Sequence, residues 1–483
     1  MIKKYYAMLD ANARDLFDAS MRWADKIWDE DAGLLWDYGD SHLTTPRHAI
    51  RGTAWYALGL LMRNRSDDVA RALRAIDTVL KYQFDAPAQI FHGTFARAPE
   101  EPYPPENAVI WNDYDPNWRE FIITTIALIL FEFSDQLPQT LIQKIDVAIR
   151  QAVDGALARG LSPSYTNIAL MHAFMLCFAG TRFNEPGWYA EGETMGREVY
   201  RLFKQHDSFA EYNSPTYYGV DFYALALWRS YPALSPLLAQ LGNEMEATLW
   251  RDTAQYYHAG LRNLVGPYDR SYGMNMLDYV TVIGIWIRLA TDKTIAPFPN
   301  TDQPYDHEHD IGFVPLIAFL GPQIPADALE HFRTFHGERY VEHVLADEPR
   351  RVATAWLGKD RMIGGEITSL TPPQSGQLHP ATIHWRIDAT HIGWIRQFYL
   401  EPVDARASQN RLVITTTSEI AFLVNTHGAS IGNIEKNAWR LPNLGIRIET
   451  NAAEFQVEPR GNLFEIRYSG AESQPISCVL ETN

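Results

Sequence analysis

The sequence predicts a helical N-terminal domain, an (α/α) toroid, followed by a C-terminal antiparallel β-sandwich-like domain. Three observations carry this prediction. Apolar residues recur at helical spacing in one segment after another up to about residue 335. From about Arg339 the pattern changes to short, alternating or β-branched runs split by Gly, Pro and Asn. Polar, aromatic-rich loops recur between the helices, at 91–114, 162–166, 207–217 and 266–272. No solenoid repeat is visible, so a ring of hairpins with its loops gathered at one mouth fits better. The expected domains are 1–335 for the toroid and 336–483 for the β part.

The elements follow in order. Helical periodicity marks Ala11 to Trp28, His48 to Met62, Val69 to Tyr82, Trp118 to Phe133, Leu141 to Ala158, Asn167 to Ala179 and Gly192 to Phe203. It continues in Tyr218 to Tyr231, Pro236 to Leu261 and Met274 to Leu289. Pro, Gly, Asp and Asn fill the connections. Strands are expected at Val352 to Trp356, Thr382 to Arg386, Ile392 to Leu400, Leu412 to Thr417 and Glu419 to Val424. Further strands are expected at Gly445 to Glu449, Phe455 to Val457 and Leu463 to Tyr468.

Composition narrows the function classes. A chain of 483 residues with 46% hydrophobic and 21% charged residues is of ordinary globular type. The net charge of -17 argues against nucleic acid as a partner, and it requires a locally basic cleft if the substrate is a polyanion. No apolar run reaches membrane-spanning length. The start of the chain carries no apolar segment of signal-peptide type, so the chain as written reads as cytoplasmic; one trimmed at its start would look the same. Cys177 and Cys478 form no framework or zinc spacing. Aromatics make up 12% of residues, which suits stacking on sugar rings, although most should be core.

The stretch Asp207 to Tyr218 places two adjacent phenols behind a Ser-Pro break, where a loop enters an apolar helix. A phenol fixed there can transfer protons if cations lower its pKa from about 10. The stretch resembles the catalytic-tyrosine segment of heparinase II/III-type polysaccharide lyases, roughly Asp-Gly-Ser…Glu…Ser-Pro-x-Tyr, with Asp207-Ser208 lacking the glycine. The resemblance covers a dozen residues. It implies β-elimination on a uronic-acid glycan: the carboxylate is neutralised, a base removes the C5 proton, and an acid protonates the departing oxygen. By position in the motif Tyr217 is the base and acid, with Tyr218 second. Similar lyases carry an asparagine at the start of an inner helix, which points to Asn167 as a neutraliser; capping of that helix by Asn167 or Thr166 explains the residue as well.

Arg270, two residues before Tyr272 in another loop that runs into a helix, can bind a carboxylate and depress a phenol. An Asp269–Arg270 loop pair is the structural alternative. Asn117, Trp118 and Arg119 are sugar-binding residue types at a helix start. His172 reads as a core histidine. The Asp306 to Asp310 stretch, with His307 and His309, reads first as cleft-lining histidine, His309 in particular; a divalent ion at His307 and His309 is the second reading, and no cofactor is expected. In the β part, His379 and His384 are candidates because some toroid lyases bring a histidine from that domain to the cleft. The expected partner is an acidic polysaccharide or oligosaccharide; no nucleic acid or membrane partner is expected and no oligomeric state is assigned. The competing classes are a glycoside hydrolase with paired carboxylates, for which Asp113, Asp115, Glu211 and Asp221 are available, and a non-catalytic carbohydrate-binding protein.

Overall fold

The structure, a computed structural model, describes residues 5–37, 46–300, 305–370, 377–398, 402–417, 419–428, 432–470 and 475–483. Helix α1 (Tyr5–Met8) and α2 (Ala11–Lys26), the latter capped by Asp10, precede a small sheet of β1 (Trp28–Asp29), β2 (Leu34–Asp37) and β3 (Arg47–Ala49). Helical hairpins follow: α3 (Ile50–Arg63) with α4 (Asp68–Lys81), α5 (Trp118–Phe133) with α6 (Gln139–Arg159). Next come α7 (Thr166–Phe183) with α8 (Pro186–His206) and α9 (Tyr218–Ser230) with α10 (Pro236–Tyr256). The ribbon β4 (Tyr257–His258) and β5 (Asn263–Leu264) leads to α11 (Val282–Ala290), α12 (Val314–Leu320) and α13 (Ala326–Arg333).

Helices α3, α5, α7, α9 and α11 pack side by side, and α12 closes the ring by packing on α11 and α3. These inner helices are apolar on every side, as burial all round requires. Every residue from Thr166 to Gly180 of α7, and from Tyr218 to Trp228 of α9, is buried. Outer α4 buries one stripe that includes Ala72, Ala75, Ile76 and Val79. Each of α3, α5, α7 and α9 is followed by an antiparallel outer partner, so their N-termini share one mouth. At that mouth the starts of α9 and α11 are in backbone contact: a Cβ on Gly219 would lie 2.2 Å from the Ile283 nitrogen.

The β domain comprises β6 (Arg339–Asp347), β7 (Arg350–Leu357), β8 (Arg361–Ile367), β9 (Ala381–Arg386), β10 (Ile392–Gln397), β11 (Val403–Ser408) and β12 (Arg411–Thr416). It continues with β13 (Glu419–Asn425), β14 (Ile434–Glu435), β15 (Ala438–Leu441), β16 (Leu444–Thr450), β17 (Glu454–Arg460), β18 (Leu463–Ser469) and β19 (Ile476–Thr482). One antiparallel sheet has the order β17-β18-β13-β10-β9-β8-β7-β6, and the other β11-β12-β19-β16-β15-β14. Between them lies a core with Trp356, Ile383, Trp385, Phe422 and Trp439. The larger sheet turns its other face, with Ala353, Ala355, Leu357, Met362, Trp394 and Leu423, into the core of the toroid.

Several expectations are corrected. The helix expected over Met274 to Leu289 begins only at Val282. The preceding backbone is tied from outside instead: Asn263 Nδ2 and His384 Nε2 both bond the Met274 carbonyl, and the Met276 amide donates to Asn263 Oδ1. Helix α10 stops at Tyr256, where the ribbon begins. The last two residues of the strand expected over Ile392 to Leu400 lie outside the described residues. Strands β1 to β5 in the helical part, and β6, β8, β11, β14, β15 and β19 in the β domain, have no counterpart among the expected strands.

Candidate active site

The loop that enters α9 is welded to a second loop before either offers a side chain to solvent. Asn213 takes the left-handed conformation (φ 48°), which Asn tolerates better than most residues. Its Nδ2 donates to the Val265 carbonyl at 2.7 Å and the Pro267 carbonyl at 2.8 Å. The Ser214 hydroxyl donates to the Arg270 carbonyl at 2.5 Å and accepts from the Tyr217 amide at 2.9 Å. The Asn-Ser-Pro break thus sets Tyr217 and Arg270 against each other.

Tyr217 is half-buried immediately before α9. Arg270 Nη2 donates to its phenol oxygen at 2.5 Å, and the Tyr272 hydroxyl lies 2.7 Å from the same atom. The guanidinium carbon also sits 3.8 Å from the centre of the Tyr217 ring. Burial pushes the phenol well above its ordinary pKa, Tyr272 adds to this, and Arg270 pulls the other way. The phenol in this state carries its proton.

Glu211 holds the two polar groups beside it. It accepts from Arg270 Nη1 at 2.7 Å and from Asn167 Nδ2 at 3.3 and 3.4 Å. Asn167 lies in the first turn of α7, whose N-cap, Tyr165, makes no side-chain cap bond, so its amide is used across the site and not as a cap. Deeper in, Asp221 is fully buried, and neither of its oxygens finds a hydrogen-bond partner among the described residues. Burial raises both carboxyl groups; Glu211 adds to the rise of Asp221, and at Glu211 the pull of Arg270 opposes burial while Asp269 adds to it. Arg270 and Asn167 favour the charged form of Glu211 against burial, whereas Asp221, with no such partner among the described residues, keeps its proton.

The β domain builds the other side. Gln377 Oε1 accepts from Arg270 Nε at 3.0 Å, and its carbonyl accepts from the Ser271 amide at 3.0 Å. Tyr268 and His379 exchange backbone hydrogen bonds at 3.1 and 2.8 Å. Arg351 bonds Asp269 at 3.1 Å and also the fully buried Glu366. A Cβ on Gly364 would overlap the Gly266 carbonyl, so β8 lies directly against the same loop.

The structure therefore brings together Tyr217, Arg270, Asn167 and Tyr272. Tyr272 is 43% exposed and stacks on His307, with ring centres 4.7 Å apart; His307 in turn lies edge-on to His309 at 5.6 Å. Other expected site residues are corrected by burial. Tyr218 is fully enclosed, so it cannot meet a sugar. His384 is fully buried with its Nε2 on the Met274 carbonyl, and burial lowers its pKa to about 4. His379 is buried, bonds the Ser271 carbonyl at 3.2 Å, and is lowered to about 3 by burial and by Arg396. Both serve the backbone. Arg119 is buried and donates to the His92 carbonyl. Asn117 is committed to Tyr165 and Arg159, each at 2.9 Å. Trp118 is 9% exposed, with the Arg51 guanidinium 5.0 Å from the centre of its ring. His172 is buried 3.5 Å from Glu120, as a core histidine.

Gln377 was not anticipated at the site, and Glu211 was anticipated only as a hydrolase carboxylate, not as the group that joins Arg270 and Asn167. Glu211 had a signal, because it stands between Asp207 and the Ser-Pro pair of the motif. Gln377 had none beyond its nearness to His379. A separate recess of about 550 Å³, lined by Asp15, Arg22, Arg262, Arg288 and Lys293, contains none of the expected site residues.

Residues 14–322 match the family model described as Domain of unknown function (DUF8769), and the chain belongs to that family. Residues 333–474 match a second model with the same description, DUF8770. No curated protein sequence matches the chain. Among solved structures, a heparinase III is similar at 10% identity and a TM-score of 0.47, over 99% of this chain and 86% of its own. A mutant chondroitin AC lyase of Streptomyces coelicolor A3 is similar at 11% identity and 0.41, over 98% and 80%. A mutant heparan sulfate lyase from Pedobacter heparinus is similar at 9% identity and 0.35, over 100% and 86%.

Proposed function

We propose that this protein is a polysaccharide lyase that cleaves a uronic-acid-containing glycan by β-elimination. The observation that carries the proposal is the phenol oxygen of Tyr217, held between the Arg270 guanidinium and the Tyr272 hydroxyl, with Asn167 and Arg270 joined through one carboxylate. In the proposed reaction Arg270 and Asn167 face the uronate carboxylate and make the C5 proton acidic. An amide has two N–H donors, and both long contacts of Asn167 to Glu211 can be made by one of them, which leaves the other for substrate. Tyr217 oxygen takes the C5 proton, the C4–O bond breaks as the C4–C5 double bond forms, and the same oxygen returns the proton to the leaving group.

The resting phenol is protonated, so its own proton has to pass to solvent as substrate binds, before the oxygen takes the one from C5. A sugar that displaces the Tyr272 hydroxyl removes a contribution that raises the phenol, while Arg270 stays at its oxygen. A hydrolase of paired carboxylates fits less well, since Asp221 is fully buried and Glu211 is bonded to Arg270.

The deciding experiment offers the protein a panel of glucuronan, alginate, ulvan, heparinoids and chondroitins. Elimination gives an unsaturated uronate that absorbs in the near ultraviolet. New reducing ends without that absorbance would replace the proposal with hydrolysis, and binding without either product would leave a carbohydrate-binding protein.

A further inference from the structure

The connection from α11 to α12 brings His307, His309 and Asp310 to the rim of the site, next to Tyr272. Each offers one ligand atom, and these atoms all lie within 4.8 Å of one another. His309 Nε2 lies 3.6 Å from Asp310 Oδ1. That separation is close to the roughly 3.4 Å edge of a tetrahedron with bonds of about 2.1 Å. The side chains of His309 and Asp310 are only 25% and 13% exposed. His309 Nδ1 is buried and has no hydrogen-bond partner among the described residues. An imidazole that gives Nε2 to an ion carries its proton on Nδ1, so this buried nitrogen is left to donate to an ordered water.

We infer that His307, His309 and Asp310 form a binding site for one divalent transition-metal ion of zinc type. Two imidazoles and one carboxylate suit zinc and its neighbours, whereas calcium and magnesium prefer shells made of oxygen. Three protein ligands leave a fourth position for water or substrate. The site stands apart from the elimination chemistry, because an ion here needs none of Tyr217, Arg270 or Asn167. Its consequence for them is positional: the ion would fix the His307 ring, on which Tyr272 stacks with an interplanar angle of 14°.

The test uses the full chain, stripped with chelator and titrated with Zn²⁺ alone by equilibrium dialysis and calorimetry. The expected result is one saturable ion per chain and a rise in the thermal midpoint on addition of Zn²⁺. Affinity should fall at least ~10-fold in His309→Gln and in Asp310→Asn, the scale of a lost ligand or its close support. His391→Gln, in the β domain, should bind as the parent does, which separates the site from adventitious surface histidines. Co²⁺ in place of Zn²⁺ should give the visible absorption of a tetrahedral ion, lost in the ligand variants. If His309→Gln does not fold, His307→Gln carries the test, since His307 is only half-buried. No saturable Zn²⁺ binding by the parent, or equal binding by the His307 and His309 variants, overturns the inference. Neither readout needs a glycan, so the lyase proposal and the metal site fail separately.

Discussion

Tyr217 and its neighbour Tyr218 form a matched pair of tests, because one hydroxyl is bonded at the mouth and the other is sealed in the core without a hydrogen-bond partner among the described residues. Tyr217→Phe removes the proposed proton-transfer atom but keeps the ring. Turnover should fall by at least ~10²-fold, the lower end for a positioned acid–base group, while folding loses only about 0.5–1.5 kcal/mol for each hydrogen bond. Tyr218→Phe should leave elimination unchanged and stability equal or higher, since an unsatisfied buried hydroxyl is removed. Assays of ultraviolet product formation and thermal melts on the two variants check this. A phenol held above its ordinary pKa is ionised in a fraction that grows with pH, so kcat/KM should rise from pH 6 towards pH 9. A profile flat over that range would remove Tyr217 as the base. Glu211→Gln keeps the shape but loosens Arg270 and Asn167 together. It should lower kcat/KM by about 10-fold or more, on the scale of misplaced catalytic groups, with a smaller effect on the melt than on rate.

At the scale of elements, the 266–273 loop is the part held from most directions. Arg351 is the pin, bonded to Asp269 in the loop and to Glu366 in β8. Arg351→Ala leaves two buried carboxylates facing each other. It should destabilise the protein by about 2–3 kcal/mol, below the 3–5 of a fully buried pair because the Arg351 side chain is 28% exposed. Chemical denaturation measures this, and an unchanged midpoint would show that the pin carries no load. The elements themselves were legible where one period held over a long run, as in α5, whose bounds match the sequence reading. They were obscured where both faces of a strand are buried. Strand β8 lies between the toroid and the second sheet, so Arg361 to Ile367 shows no alternation of apolar and polar residues. The α11 start was misread because the side chains of Asn263 and His384 satisfy backbone that would otherwise have continued the helix. At the site, the motif led to Tyr217, the resemblance to similar lyases led to Asn167, and the loop before Tyr272 led to Arg270. Burial, which no single sequence reveals at helix starts, removed Tyr218, Arg119, Trp118 and the two β-domain histidines.

For the whole molecule, one apolar core runs from the helical ring into the large sheet, with Ala353, Leu357 and Trp394 among the inner-helix residues. The two parts should therefore unfold together, as a single calorimetric transition with van't Hoff and calorimetric enthalpies in agreement; two resolved transitions would contradict a shared core. A charged contact adds to the joint. His343 of β6 bonds Asp252 of α10 at 3.0 Å and the His206 carbonyl at 2.6 Å, beside Asp207 and the Tyr212 ring. Burial opposes the charged imidazole, but Asp252 outweighs it and raises the pKa above 6.5. A raised pKa means that the contribution is complete below the unfolded value and is lost as pH rises through the folded one. The gap in melting midpoint between the parent and His343→Gln should thus be widest near pH 5–6 and close towards pH 9. The contact between Gly364 and Gly266 bears on inheritance as much as on packing. A helical ring of this family recombined with a foreign β partner would inherit its tyrosine intact, yet a methyl group at the position of Gly364 would push the arginine-bearing loop away from it. Under the proposed mechanism, then, the two domains have to be inherited as a matched pair, because a glycine in the half without the tyrosine sets where the arginine stands.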